Sequence, residues 1–304
     1  MTVFLVVAGA LAVLWILANS KTSRPDGVLV PRVHPYRRIM QYIMPTRSES
    51  VVFFDTYVPA DALLDYVEQA REQFDADITH CVVGALAQGL AEAPTMNRFV
   101  AGRRLYQRRL RHITFSMKRT AGDERAKLAT VKLEIPTEGS FRDLCARINE
   151  EVSHERSDTR TYADKEFDLL GLIPRPVLIR AVQFLRWLDH HNLVPAGFIA
   201  TDPLHTSVFV ANLGSLGMDA GYHHLYEWGN CPIFVTVGRV ETHPVVVEGE
   251  VVPQRQLHLR WTYDERIDDG LSARRGMHAV KRVLEDPFSE LGCVGSGASA
   301  EPQS

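Results

Sequence analysis

The chain lacks an excess of charge of either sign. Its 37 acidic and 34 basic residues give a formal net charge of −3. That balance gives no reason to expect nucleic acid as the main partner. It also lacks paired cysteines. The 4 Cys (Cys81, Cys145, Cys231, Cys293) form no C-x-x-C metal pair and fit no disulfide framework. No internal repeat is visible. A second long apolar run is missing too, which excludes a polytopic membrane protein. Charged residues make up 23% and hydrophobic residues 45%, so whole-chain disorder, collagen and coiled coil are excluded. Length alone suggests about two domains. With the N-terminal segment and the tail set aside, roughly 250 residues remain, which one large α/β domain can hold.

The single apolar run, Val3 to Ala18, carries no charge and no proline. As a helix, residues 1–18 would span about 27 Å at ~1.5 Å per residue, close to a hydrocarbon core of roughly 30 Å. Trp15 suits a membrane interface. A cleaved signal peptide would want a basic stretch before Val3, and there is none; Ala18-Asn19-Ser20 is a poor cleavage site. A buried helix is the other alternative, and no periodic polar face is seen. The expectation is a retained anchor over 1–20. Lys21, Arg24, Arg32, Arg37 and Arg38 follow it, so the positive-inside tendency puts the main domain on the cytoplasmic side of the cell membrane, single-pass. Reduced cysteines agree with that compartment.

Residues 21–35 hold Pro25, Gly27, Pro31 and Pro35 and read as an extended linker. Beyond it, Val51–Val58 is strand-like. Pro59–Phe74 has a helical pattern with Asp61 as its N-cap, and Thr79–Ala93 is a more apolar, buried helix. Arg103–Ser116 reads as a strand pair around a turn, and Leu128–Ile135 alternates as a strand. Phe141–His154 and Pro174–His190 are amphipathic helices. Strands follow at Thr206–Ala211, Cys231–Val240 and Gln256–Tyr263, then a helix at Ser272–Leu284. The small-residue tail, 291–304, is expected to be disordered. Helices and strands mix without strict alternation, so the fold class is α/β (α+β), a mixed sheet with helices on one side.

Two segments are specific: FVANLGSLGMDAG (Phe209–Gly221) and LHLRWTYDERIDDG (Leu257–Gly270). Both resemble the catalytic domain of the dihydrolipoyl acyltransferases of 2-oxoacid dehydrogenase complexes, whose fold is shared with chloramphenicol acetyltransferase. The resemblance runs from about Tyr36 to Phe288. It includes Arg37-Arg38 and Pro94-Thr95-Met96-Asn97, and it sets the acyltransferase-like domain at 36–290. It implies a CoA-dependent acyl-transfer fold, a homotrimer, and an active site in a channel between neighbouring subunits. It also implies a D-H-R-x-x-D-G motif whose histidine takes the thiol proton, and a serine before Asn-Leu-Gly that steadies the oxyanion.

Here the histidine position is Glu265 and the serine position is Ala211. Asp269 is the kept motif aspartate, read as structural, and Asn212, Gly214 and Arg266 are the matching positions at which ligand contact is expected. A thiol with a pKa near 8.5 needs a base poised near neutrality, whereas an ordinary Glu titrates at about 4.3. Loss of a base forfeits ~10²–10⁴ in rate, and loss of an oxyanion donor roughly 2.7–4 kcal/mol. The expectation is a degenerate acyltransferase that binds CoA or acyl-CoA, or acts as a scaffold. The alternative is an active enzyme using Glu265 as its acid or base. No lipoyl domain and no Ala/Pro-rich linker precede Tyr36, so a place in a dehydrogenase-complex core is not expected.

Three further groupings stand out. His223-His224, with His243 and His258, suggest a metal site; on a strand adjacent side chains point apart and no ligand spacing closes a shell, so no metal is expected. Arg103, Arg104, Arg108, Arg109 and Arg111 form a basic patch for lipid headgroups or CoA phosphates, or else a solvated hairpin. The helix from Pro174 carries Arg175, Arg180 and Arg186 beside Phe184 and Trp187, and either lies on a membrane surface or packs over the core. It belongs to a long segment, Tyr162–Pro203, that the family's ordinary domain does not need.

Overall fold

The structure is a computed structural model that describes residues 1–118, 128–156 and 173–294. The apolar opening run folds as helix α1 (Thr2–Ser20). It is long and apolar enough to cross a membrane, and none of its apolar window is buried against the rest of the chain.

The segment after it is extended, as its prolines dictate, but it is also packed. Strand β1 (Gly27–Leu29) pairs antiparallel with β4 (Arg104–Arg108), which pairs with β3 (Arg98–Ala101). Arg24 is only 4% exposed. The expected hairpin over Arg103–Ser116 is corrected here. Strand β5 (Arg111–Lys118) follows β4 after two residues, yet the two strands belong to different sheets. The physical reason is Arg108. Its buried guanidinium donates to Asn230 Oδ1 (2.8 Å) and to the Thr206 carbonyl (2.9 Å), which fastens the junction to a distant loop rather than to a facing strand.

The main sheet has the order β2-β9-β8-β7-β5-β6. Its other members are β2 (Val51–Pro59), β6 (Leu128–Ile135), β7 (Val208–Asn212), β8 (Ile233–Val247) and β9 (Glu250–Asp264). Strand β7 runs parallel to β5 and β8, and the remaining pairs are antiparallel, so the sheet is mixed. Strands β8 and β9 run further than the sequence pattern suggested. Glu248 and Gly249 both take positive φ (51° and 90°), the geometry of a tight two-residue hairpin turn, and the distal arm stands exposed.

Helices α3 (Asp61–Arg71), α4 (Ile78–Glu92), α5 (Phe141–Arg156) and α8 (Gly270–Glu285) carry the apolar side chains that pack with one face of this sheet. Trp261, Tyr66, Leu63 and Leu86 are among the fully buried residues there. The expected cap of α3 differs. Ala60 holds the N-cap position, and Asp61 is the first helical residue, its Oδ1 accepting from Arg255 Nε (2.6 Å). Asp77 caps α4 instead, accepting from the His80 backbone N–H at 3.1 Å. That satisfies one of the free donors of the first turn.

The other α-helices among the described residues are α2 (Pro35–Ile43), α6 (Arg175–His190), α7 (Ala196–Thr201) and α9 (Pro287–Glu290), which follows α8. Helix α6 buries no residue. Phe184 and Trp187 stack on its surface with ring centroids 6.1 Å apart. The first residues of the expected tail are packed instead: Leu291 and Val294 are buried and the Gly292 carbonyl accepts from Tyr66 Oη at 2.7 Å; from 295 on the tail lies outside the described residues. So does the part of Tyr162–Pro203 up to residue 172.

Candidate functional site

Strand β9 ends at Asp264 and α8 begins at Gly270, so the motif residues are the connection between them. Asp269 caps the helix: its Oδ1 accepts from the Ser272 N–H at 2.9 Å. That bond holds the carboxyl below the usual carboxylate range. Asp264 is 1% exposed and meets Arg266 through two bonds, Nε to Oδ1 (2.8 Å) and Nη2 to Oδ2 (2.7 Å). Ser50 Oγ adds a third (2.9 Å), and Arg266 also donates to the Met44 carbonyl (2.9 Å). The guanidinium of Arg266 is therefore committed to holding the turn.

Two residues from elsewhere brace the same turn. Arg37 Nη1 donates to the carbonyls of Glu265 (3.2 Å) and Asp268 (2.6 Å). Thr95 Oγ1 donates to Asp268 Oδ2 at 2.5 Å. The sequence offered both residues as parts of separate segments; the fold joins them here.

Glu265 itself is exposed. It lines a cavity of about 270 Å³ with Tyr36, Arg37, Met40, Phe54 and Tyr263 among its walls. No histidine and no serine is part of that lining among the described residues. Tyr263 is 2% exposed, and its hydroxyl has no hydrogen-bond partner. Burial, and then the nearby Asp268 and Asp264 carboxylates, push its pKa well above the ordinary phenol value. Sequence reasoning missed this group. Its only signal was position, next to the motif and on the inward phase of β9.

Ala211, Asn212 and Gly214 are not in that cavity. Ala211 lies on β7, where side chains alternate between faces. Val208 and Val210 enter the main core, while Phe209 and Ala211 join a second cluster with Leu225, Cys231 and Phe234 on the other face. Asn212 Nδ2 donates to Thr79 Oγ1 (3.0 Å), and its Oδ1 accepts from the Ser215 N–H (3.1 Å). The Ser215 hydroxyl is bound to the Asn212 carbonyl (2.7 Å). Gly214 sits so close to the Gly238 carbonyl that a β-carbon would overlap backbone. Within one chain, the Glu265 and Ala211 sites are therefore separate.

The histidine expectation changes in detail. His223 and His224 lie in irregular chain rather than on a strand, and their rings stack at 4.8 Å. His223 lies flat on Phe234 (3.7 Å), which decides its orientation. His258 Nε2 is 2.8 Å from Asp55 Oδ1. Among the described residues no group of three His, Cys, Asp or Glu could hold a metal. The basic patch is dispersed: Arg108 is buried, which lowers its pKa to about 10, Arg104 donates to the Asn19 carbonyl, and Arg111 Nη2 to the Pro136 carbonyl (3.0 Å).

The second cluster, β8, β9 and α8 lie in one stretch that known proteins share. Residues 199–291 match the family of 2-oxoacid dehydrogenases acyltransferase (catalytic domain). A mitochondrial protein of Schizosaccharomyces pombe, named as a dihydrolipoyllysine-residue succinyltransferase component of the 2-oxoglutarate dehydrogenase complex, is 33% identical over 99 residues. That stretch is 32% of this chain and about a fifth (21%) of the relative's length. The cubic core of the pyruvate dehydrogenase multienzyme complex matches at TM-score 0.56 and 18% identity, over 86% of this chain and 93% of that one. Dihydrolipoamide acetyltransferase of Azotobacter vinelandii, in which a serine, a histidine and an asparagine have been studied for their part in catalysis, matches at TM-score 0.55 and 17% identity, over 86% and 93%. The chain thus resembles the acyltransferase catalytic domain in its C-terminal part and has its fold over most of its length.

Proposed function

We propose that this protein is a membrane-tethered trimer of the acyltransferase fold that has lost the family's usual chemistry and binds CoA or an acyl-CoA in the cavity beside Glu265. One observation carries the reading: the position of the proton acceptor is a glutamate, in a cavity lined by neither histidine nor serine. A carboxylate that stays exposed in the single chain is a poor acceptor for a thiol proton, and the Ala211 position adds no hydroxyl for an oxyanion. What speaks for a bound ligand, rather than a purely structural role, is Tyr263. A buried hydroxyl without a partner costs folding free energy unless something else satisfies it.

The trimer is supported by the surface around this cavity. Tyr36, Ile39 and Ile43 on α2 and Phe53, Phe54 and Tyr57 on β2 are large and exposed. In the trimer that the resemblance implies, a neighbouring copy seated there would bury them and bring its own Ala211 strand towards Glu265. Helix α1, unburied along its apolar length, supports the tether, and Lys21 and Arg24 after it support a domain on the cytoplasmic side.

The test uses the full chain in an uncharged detergent. CoA and acetyl-CoA are titrated by calorimetry, and transfer from acetyl-CoA to dihydrolipoamide is followed by chromatography of the S-acetyl-dihydrolipoamide and free CoA formed, because the exchange leaves the total thiol count unchanged. Binding without turnover is the expected result. Turnover that disappears in Glu265→Ala overturns the loss of chemistry, and absence of any binding overturns the ligand reading. The double substitution Glu265→His with Ala211→Ser is expected to restore measurable transfer if the channel survives.

A further inference from the structure

A second cavity, of about 390 Å³, shares no lining residue with the one beside Glu265. Its walls come from the turn after α2, the β3–β4 turn, the C-terminal end of α6 and the 227–229 loop. Four arginines line it: Arg47, Arg103, Arg186 and Arg266. Two carboxylates oppose them, Asp189 and Glu227.

Most of these charges are already answered. Arg266 is matched by Asp264 (2.7 Å). Asp189 is matched by Arg24 (2.9 Å), which lies outside the lining. Glu227 Oε1 accepts from the Ser48 N–H and hydroxyl, both at 3.0 Å. Arg47 donates only to carbonyls, of Tyr226 (3.0 Å) and Gly229 (2.7 Å). Arg103 is placed over the Tyr42 ring, 5.6 Å from its centroid. Neither Arg103 nor Arg186 meets a carboxylate among the described residues. The cavity therefore has a cationic surplus. His190, in the same wall, registers it: burial lowers its pKa, and His191, Arg103 and Arg104 lower it further. Leu185, Phe198 and Trp228 give the wall an apolar portion, beside the polar Thr46 and His205.

The cavity also has a defined place. It lies at the foot of α1. The Asn19 carbonyl accepts from Arg104, the Lys21 carbonyl accepts from Asn192 Nδ2 (2.8 Å), and Arg24 binds the Asp189 that lines the wall. Gly102 has φ of 55°, and a β-carbon there would run into the His190 carbonyl, so the turn carrying Arg103 is pressed against the end of α6.

We propose that this cavity binds a phosphate ester through Arg103 and Arg186. Guanidinium forks match phosphate oxygens in pairs, and the apolar portion of the wall, Leu185, Phe198 and Trp228, accommodates the carbon skeleton that a phosphate ester carries. The source is either the headgroup of an anionic membrane lipid or a soluble phosphate ester. The lipid source rests on the tether proposed above; the phosphate chemistry does not.

The experiment takes the full chain in an uncharged detergent and titrates it separately with dioctanoyl phosphatidylglycerol, 3′,5′-ADP and inorganic phosphate. Native mass spectrometry and the shift of the melting midpoint are the readouts. At least one of the three is expected to bind. Arg103→Gln combined with Arg186→Gln should weaken it by about tenfold or more. Arg180→Gln, on the same helix but outside the cavity, should stay within about twofold, because a remote surface charge is screened. Lipid bound without 3′,5′-ADP assigns the headgroup, and the reverse assigns the soluble ester; both support the site. No binding by any of the three, unchanged binding in the double variant, or an equal loss in Arg180→Gln overturns it. The same titrations in Glu265→Ala should be unchanged, which separates this site from the CoA reading.

Discussion

Arg266→Ala separates a structural arginine from a ligand-binding one. The substitution removes both guanidinium bonds to Asp264, at 2.8 and 2.7 Å, and the bond to the Met44 carbonyl. Asp264 stays behind at 1% exposure, with the Ser50 hydroxyl and the residue-266 backbone N–H as its remaining donors. Neither carries a positive charge. Breaking a buried pair from one side costs about 3–5 kcal/mol, because the charge left in a dry site loses its bonded partner; Arg47, whose guanidinium attracts Asp264 without bonding to it, puts the loss towards the lower end of that range. At ~2–4 °C per kcal/mol for a domain of this size, the melting midpoint should fall by roughly 6–20 °C. Replacing both partners, Arg266→Met with Asp264→Asn, removes the orphan charge and should recover more than half of that loss. The assay is thermal melting and urea denaturation of the two variants against wild type, with CoA titrated into whichever remain folded. A midpoint within about 1 °C of wild type for Arg266→Ala would refute the buried-charge reasoning, given the sensitivity just cited. Recovered stability in the double variant with CoA affinity abolished would make Arg266 a ligand contact after all.

Acid sensitivity should map to Asp189. Burial raises its pKa, but the His205 hydrogen bond and Arg24 outweigh burial and hold it at about 2, below an unfolded value of about 3.9. A depressed carboxylate stabilises fully above its unfolded pKa and loses that contribution as pH falls towards its folded one. The contribution is about 2–3 kcal/mol. In urea titrations, wild type should therefore lead Asp189→Asn by that amount at pH 6, and the gap should shrink between about pH 4 and pH 2; an equal gap at pH 6 and pH 2.5 contradicts the assignment. Tyr263→Phe removes a hydroxyl that has no partner, so stability without ligand should change by less than about 1 kcal/mol or rise slightly. The same change should weaken CoA binding in calorimetry, and an unaltered affinity removes Tyr263 from the site.

Much of the fold was legible in local pattern. Period-two alternation marked β6, a short continuous apolar run marked β7, and the apolar density of α4 announced a buried helix. The distal arms of β8 and β9 were harder to read because they are exposed, and exposed strands carry no one-sided apolar pattern. The β4–β5 junction looked like a hairpin because two strand-like runs follow one another with only Arg109 and Leu110 between them. Nothing local indicates that Arg108 is buried and bound to residues about a hundred positions away. Asp61 failed as a cap because Arg255, across the chain, claims its carboxylate.

The sequence by itself determined the chemistry available at the motif positions, the apolar character of α1 and the order of the elements. These properties belong to residue identity and near-neighbour spacing, which survive without a fold. The tertiary structure decided that Arg37 and Thr95 brace the Glu265 turn, that Arg266 is spent on Asp264, that Tyr263 is left without a partner, and that Arg24 ties the foot of α1 to α6. Each of these joins groups whose positions depend on how sheets and helices pack. Charges and hydroxyls find their partners through space, and a pairing across the fold leaves no period in the chain to read.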